Sequence, residues 1–211
     1  FHYITLMNES YAMPSLPKGS EADLLRGMYR FKTFRAGEAQ AGTPAPSVRL
    51  LGSGTILLEV IAAAEILAAE WSVDCDVFSV TSFSELAREA RQAQRAERLA
   101  PLASGPEPSP TTLARLLPGR TPIVAATDHV RAWPQLIAEY LDARYVTLGT
   151  DGFGRSDLRY RLREHFEVNR HYIVVAALKA LSEEGAVPAA TVAKAIAQYQ
   201  LAVDKVNPLY A

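Results

Sequence analysis

Apolar and polar positions along the chain follow two alternating periods from residue 47 onward. Short apolar runs such as SVRLLGSG (47–54) and CDVFSVTS (75–82) are typical of buried strands, in which both faces are enclosed. Each run precedes a longer segment whose apolar residues lie three or four positions apart, as in a helix with one buried face. The alternation predicts βαβ units, and therefore an α/β fold with a mainly parallel sheet between helices.

Four strands and seven helices are predicted after residue 46. The other two strands are TPIVAAT (121–127) and RYVTLGT (144–150). The predicted helices are 55–71, 83–100, 111–119, 133–142, 157–166, 171–185 and 188–200, with Pro188 in the first turn of the last. The buried face of the first helix is predicted to hold Ile56, Leu57, Val60, Ile61, Ala64, Leu67 and Ala68.

The first 46 residues follow a different pattern. FHYITLMNES (1–10) is typical of a short strand or the tail of one, and Ser20 is predicted to cap a short helix that continues to about Met28. MYRFKTF (28–34) alternates like an edge strand, and a Gly/Pro/Ala-rich segment follows it. We therefore predict a linker arm with a short helix and edge strand over 1–46, and an α/β domain over 47–211. Because the chain starts without methionine, we expect it to be part of a longer protein.

Composition excludes several classes of function. The 211 residues are 49% hydrophobic and carry a net charge of −1, so neither nucleic acid nor an anionic membrane is an expected partner. The longest apolar run is interrupted by Glu59 and Glu65, which makes it too short and too charged to span a bilayer. Cys75 is the single cysteine, as suits a reducing compartment.

The segment LLGSGT (50–55) partly matches a phosphate-binding loop. Gly52 and Gly54 fit the first two positions of G-x-G-x-x-G, but Leu57 holds the third, and no lysine follows to complete a P-loop. The alternative is a tight strand-to-helix turn in which Ser53 or Thr55 caps the helix, and the failed patterns favour it.

No catalytic, cofactor-binding or metal-binding residue is predicted. The four histidines, His2, His129, His165 and His171, form no metal-ligand spacing, and Cys75 is too isolated to join one. We expect His165, in a charged helix, to be solvated. A G-x-S-x-G nucleophile turn is also missing from the sequence.

Two loops after predicted strands carry the remaining candidate residues. Asp128 and His129 follow the third predicted strand of the domain, at the edge where an α/β sheet binds ligands. The favoured alternative is that Asp128 caps the next helix and His129 lies on the surface. In TDGFGRSD (150–157), glycines allow close backbone contacts, and Ser156 or Asp157 can cap the following helix. Phe153 is unusually large and apolar for a loop. We predict that the two loops form a docking surface, and the second interpretation is that they form the rim of a catalytic site. The predicted docking surface consists of Asp128, His129, Asp151, Phe153, Arg155 and Ser156.

Several longer segments together resemble one family. They are YITLMNESYAMPSLPKG (3–19), LLGSGTIL (50–57), DVFSVTSFSELAREA (76–90), TLGTDGFGRSD (147–157), LREHFEVNRHYIVVAAL (162–178) and DKVNPLYA (204–211). The chain resembles the carboxyl-terminal part of homodimeric, thiamine diphosphate-dependent bacterial pyruvate dehydrogenases. The D-x-F-G-x-S element at 151–156 is also similar to the broader transketolase family. The segments 101–117 and 35–46 depart most from the pattern.

The resemblance implies a three-layer α/β/α fold with a five-stranded, mostly parallel sheet and one antiparallel edge strand. It implies a cytoplasmic parent enzyme that decarboxylates pyruvate on thiamine diphosphate with Mg²⁺. That enzyme transfers the two-carbon unit to the lipoyl group of an acetyltransferase partner.

The same resemblance implies that both cofactors bind in domains absent from this chain. The chain is then non-catalytic alone and supports domain packing and the homodimer. The alternatives are an assembly module, or the last domain of another thiamine enzyme such as a transketolase.

Overall fold

The computed structural model describes Phe1, Ile4 and residues 9–37, 44–100 and 109–211. Most of the predicted first strand, much of the Gly/Pro/Ala-rich segment and most of the loop at 101–110 lie outside these ranges, as does His2.

Five strands form one sheet in the order β1-β3-β2-β4-β5. The strands are β1 (Met28–Phe34), β2 (Ser47–Ser53), β3 (Asp74–Val80), β4 (Ile123–Ala126) and β5 (Tyr145–Leu148). β1 is antiparallel to β3, and the other neighbours are parallel. The predicted mixed sheet with an antiparallel edge strand is confirmed. β1, which the sequence analysis assigned to the linker arm, is thus hydrogen-bonded into the sheet.

Helices cover both faces of this sheet. The α-helices are α1 (Glu21–Leu25), α2 (Leu57–Glu70), α3 (Phe83–Leu99), α4 (Thr112–Leu116), α5 (Ala132–Gln135), α6 (Arg159–His165), α7 (Arg170–Glu183) and α8 (Ala189–Gln198). Short 3₁₀ turns are Gly54–Ile56, Ala138–Tyr140 and Pro208–Tyr210. Alternate residues of β2 divide between the layers, since Leu50 packs with α2 and α7 while Leu51 packs with α3 and α4. The three-layer prediction is confirmed.

The helix predicted from Ser20 to about Met28 is shorter than expected. It ends at Leu25, and the Ser20 side chain makes no capping hydrogen bond. Gly27 has a φ of +103°, and its N–H bonds back to Leu24, so the chain turns and enters β1 at Met28. A Cβ at Gly27 would lie 2.6 Å from the Ser82 carbonyl oxygen.

The predicted helix at 133–142 is wrong as a continuous element. A four-residue helix is followed by the separate 3₁₀ turn Ala138–Tyr140. The Pro134 carbonyl accepts hydrogen bonds from the Ile137 N–H at 3.4 Å and the Tyr145 hydroxyl at 2.8 Å. In a continuous helix this oxygen would accept from Ala138. The contact with β5 therefore competes with helix propagation.

Two predicted helix caps are also wrong. Neither Ser53 nor Thr55 caps the 3₁₀ turn and helix that follow β2 with its side chain. Leu158 occupies the N-cap position of α6, and the Asp157 side chain accepts from the Leu158 N–H instead. Pro188 is the N-cap residue of α8, one position before the helical turn in which it was expected.

The connection order creates a crevice at the carboxyl edge of the sheet. From β2 the chain passes through α2 to β3 on one side of β2, and then crosses to β4 on the other side. The carboxyl ends of β2 and β4 are adjacent, with Gly52 opposite Ala126. Ligands of open α/β sheets bind at such a reversal of strand order.

Candidate functional site

Asp128 lies at this crevice, directly across from the turn after β2. The Thr55 hydroxyl donates to Oδ2 of Asp128 at 3.3 Å, and Oδ1 has no hydrogen-bond partner among the described residues. Nε2 of His129 lies 4.0 Å from Oδ1. Arg131 holds the N-cap position of α5 without a side-chain capping bond, so the capping role considered for Asp128 is wrong. His129 is exposed, as predicted.

Asp151 fixes the loop after β5 to the loop after β4. Oδ1 of Asp151 accepts from the Arg131 N–H at 2.8 Å, and Oδ2 accepts from Arg131 Nε. Burial is the largest influence on the pKa of Asp151 and would raise it, but these hydrogen bonds and the Arg131 charge together lower it. The carboxylate is therefore engaged within the chain.

Gly152 in the loop and Gly149 just before it allow close backbone contacts, as the sequence predicted, whereas a Cβ at Gly154 would meet no atom of the described residues. A Cβ at Gly149 would lie 2.7 Å from the His129 carbonyl oxygen. Gly152 has a φ of +97°, and a Cβ there would lie 2.5 Å from the carbonyl oxygen of Pro208. The second contact joins the loop to the end of the chain, which the sequence analysis did not anticipate.

The tip of the same loop faces outward. Phe153 is 82% exposed, and Arg155 and Ser156 are exposed beside it. Leu158 and Tyr160, which follow, are each 61% exposed. The structure thus leaves these predicted interface residues accessible, while Asp151 and Asp128 contact other parts of the chain.

A buried carboxylate that the sequence analysis missed links three helices. Glu59 of α2 is 5% exposed, and its oxygens accept from Arg163 Nη1 of α6 and from the backbone N–H, Nε and Nη2 of Arg170 of α7, at 3.0–3.1 Å. Burial alone would raise the Glu59 pKa, but the bonds and charges of the two arginines lower it. The sequence did indicate that Glu59 is buried, because it lies three residues after Ile56 and four before Ala63 and therefore on the same helix face as these apolar residues.

His165 is half-buried, so the predicted solvated position is wrong. Its ring packs edge-on against Phe166, with centroids 4.8 Å apart, and Nε2 has no hydrogen-bond partner in the described part of the chain. Burial, followed by the charges of Arg155 and Lys205, lowers its pKa. The Lys205 ammonium also donates to the Glu164 and His165 carbonyls, which holds the end of the chain against α6.

A cavity of about 310 Å³ opens at the crevice. Its polar lining consists of Thr55, Asp128 and Thr150 from the carboxyl edge together with Arg155, Arg159 and Arg163. Apolar contacts come from Ile56, Leu162, Phe166 and Val168. The fold thus brings two of the predicted site residues, Asp128 and Arg155, to one cavity.

The described residues contain no cluster of side chains that fits a divalent metal. Across residues 9–37, 44–100 and 109–211, no group of three or more His, Cys, Asp or Glu side chains could hold a metal ion. Cys75 is buried in β3, and burial raises the pKa of its thiol. In the same part of the chain, no helix has the length and apolar character needed to cross a membrane.

A protein-family model matches more than half of the chain. The family model described as the transketolase-like TK C-terminal domain matches residues 27–169. The match includes β1 with the rest of the sheet and extends through α6.

Curated relatives resemble the chain over almost its whole length. The pyruvate dehydrogenase E1 component of Cupriavidus necator is 45% identical over 210 residues, which cover 99% of this chain and 23% of that protein. The proteins of the same name from Pseudomonas aeruginosa and Escherichia coli K12 are each 43% identical to this chain. The alignments cover 23% and 22% of their respective lengths. The chain therefore spans less than a quarter of these relatives.

Among solved structures, a transketolase from Leishmania mexicana is similar to this chain, and the alignment covers 79% of this chain and 20% of the transketolase chain. The TM-score is 0.48 and the sequence identity is 20%.

Proposed function

Since the chain belongs to the transketolase-like C-terminal domain family, we propose that it forms the carboxyl-terminal domain of a pyruvate dehydrogenase E1 component. The identity of 45% over 99% of the chain carries this proposal. The conclusion agrees with the motifs at 50–57, 147–157 and 204–211, from which the resemblance was first inferred.

The proposed parent enzyme decarboxylates pyruvate on thiamine diphosphate and acetylates the lipoyl group of its acetyltransferase partner. The cofactor supplies the stabilised carbanion, and the protein positions it and excludes water. Because the described residues lack a metal-binding set, we assign thiamine diphosphate and Mg²⁺ to other domains of that protein. This domain then supports domain packing and the homodimer, and is inactive by itself.

Calorimetric titration tests the assignment. Thiamine diphosphate with Mg²⁺ should give saturable heat with the full-length protein and none with the 211-residue chain. The full-length protein should turn over pyruvate with a lipoyl acceptor. Tight cofactor binding by the 211-residue chain would contradict the proposal, and turnover of ketose phosphates in place of pyruvate would favour a transketolase.

A second role, as an assembly module, is supported by the loop tip. Phe153 exposes 82% of its surface, and Arg155 and Ser156 are accessible beside it. An exposed aromatic group next to a guanidinium is a typical anchor of a protein–protein interface. We infer that this tip contacts another domain or the second subunit, which is compatible with the parent enzyme above.

A further inference from the structure

The cavity at the carboxyl edge has the size and position of a small-molecule site. It lies where the strand order reverses between β2 and β4, and its volume of about 310 Å³ is at the lower end of the range for ligand pockets. Apolar groups of Ile56 and Phe166 line it together with charged side chains. A mixed lining of this kind is typical of sites for small organic molecules.

The negative side of the cavity is incompletely satisfied by the chain. Among the described residues, the Asp128 carboxylate receives one hydrogen bond, the long one from Thr55 to Oδ2. Its Oδ1 is buried without a hydrogen-bond partner in this part of the chain, and Nε2 of His129 lies 4.0 Å from it. Thr150 directs its own hydroxyl to the Asp128 backbone carbonyl instead. Partly buried carboxylates are normally compensated by several donors, so this one has capacity for another.

The positive side also has an unused charge. Arg163 is paired with Glu59, and Arg159 is paired with Glu9 at 3.1 Å. In the part of the chain that the structure describes, Arg155 has neither an ion pair nor a hydrogen bond, although it lines the same cavity. A carboxylate with one hydrogen bond and a guanidinium with no partner among the described residues therefore line a single cavity.

We propose that this cavity binds a small organic anion that also carries a hydroxyl or amino group. The phosphate or carboxylate of the ligand pairs with Arg155, because a guanidinium binds such groups through charge-assisted hydrogen bonds. The hydroxyl or amino group donates to the Asp128 carboxylate, and the carbon skeleton contacts Ile56 and Phe166. This site goes beyond the function proposed above and does not rest on it.

A pair of phosphate monoesters tests the proposal on the full-length protein, with thiamine diphosphate and Mg²⁺ present to occupy any cofactor site. Calorimetric titration should show saturable binding of glycerol 3-phosphate. Propyl phosphate has the same charge but lacks hydroxyl donors, so it should bind about fivefold more weakly. Equal affinity for the two compounds would overturn the role of Asp128. If neither compound gives saturable heat at ligand concentrations up to about 10 mM, the proposed binding site would be overturned.

Two arginine variants locate the binding. Arg155→Gln should weaken the affinity for glycerol 3-phosphate about tenfold, since it removes a charge-assisted bond. Arg161→Gln is the matched control, because Arg161 is also exposed and does not line the cavity. Both side chains are exposed in this chain, so folding should persist, as circular dichroism can verify. Because Arg155 also belongs to the proposed assembly surface, analytical ultracentrifugation should show the same oligomeric state for both variants. Unchanged affinity in Arg155→Gln, or an equal loss in Arg161→Gln, would contradict the assignment.

Discussion

At the scale of single residues, one of the two glycines in the TDGFGRSD loop (150–157) determines how this loop meets the end of the chain. Gly152 combines a positive φ with a backbone contact that excludes any Cβ, whereas Gly154 has open space around it. The motif therefore contains one glycine required by packing and one that packing does not require. The sequence alone does not distinguish them, because the contact of Gly152 is with Pro208, 56 positions later.

We expect Gly152→Ala to destabilise the chain by about 2 kcal/mol or more, because an alanine at positive φ is strained and its methyl group would meet the Pro208 carbonyl. Gly154→Ala is the control and should change stability by less than about 0.5 kcal/mol. Urea unfolding of both variants measures the difference. Equal stabilities would show that the end of the chain is not packed on the loop.

Glu59 is the residue whose role depends most on tertiary structure. Its carboxylate lies among α2, α6 and α7, and each oxygen accepts from arginine groups. Glu59→Gln should lower the free energy of unfolding at neutral pH by about 3 kcal/mol, because two guanidinium groups lose their buried counter-charge. Glu65→Gln, on the exposed side of the same helix, should have little effect.

The pH dependence of this variant follows from the lowered pKa of Glu59. A carboxylate with a lowered folded-state pKa stabilises the fold fully above its unfolded pKa, ordinarily 4.5. That contribution is lost as pH falls through the folded-state pKa. The stability difference between the native chain and Glu59→Gln should therefore be constant near pH 7 and narrow below pH 4.5. A difference that stays constant on acidification would contradict the charge-based explanation.

At the scale of elements, aromatic contacts attach α8 to the rest of the helical layer. Trp71, after α2, donates from Nε1 to the Tyr199 hydroxyl at 2.7 Å, and that hydroxyl lies 3.1 Å from Glu70. The Tyr199 ring stacks on His171 of α7, with centroids 4.5 Å apart. One side chain at the end of α8 therefore contacts both neighbouring helices.

Tyr199→Phe should lower the free energy of unfolding by about 1 kcal/mol, because the half-buried Trp71 N–H loses its acceptor while the ring stacking remains. Tyr210→Phe removes an exposed hydroxyl that makes no hydrogen bond within the described residues and serves as the control. Urea unfolding measures both. A loss of the same size in the two variants would indicate that the Trp71 bond contributes nothing.

At the scale of the whole molecule, the exposed loop tip gives the proposed assembly role its test. In the full-length protein, Phe153→Ala should raise the dissociation constant of the dimer by tenfold or more, since a buried aromatic anchor contributes about 2 kcal/mol. Leu99→Ala is the control, because Leu99 is also exposed but ends α3, which runs away from the carboxyl edge. Analytical ultracentrifugation measures both variants. Unchanged assembly with lost turnover would favour the catalytic-rim interpretation.

The strands and long helices were predictable because their patterns repeat locally. Apolar runs and helical spacing identified all five strands of the described sheet and the helices α2, α3, α7 and α8. Predictions of helix ends and caps failed where a group that is distant in sequence forms a hydrogen bond with the backbone carbonyl or side chain concerned. Tyr145 binds the Pro134 carbonyl and interrupts a helix, and Thr55 bonds to Asp128 rather than capping α2.

The sequence by itself determined the class of fold, the family resemblance and the two loops at the carboxyl edge, since these depend on residue type and short-range spacing. Tertiary structure decided which side chains of those loops remain free. It paired Asp151 with Arg131, packed Gly152 against Pro208, and placed Arg155, which has no partner among the described residues, at the same cavity as Asp128. The physical reason is that burial, charge compensation and close packing depend on residues far apart in the chain, which are adjacent only after folding.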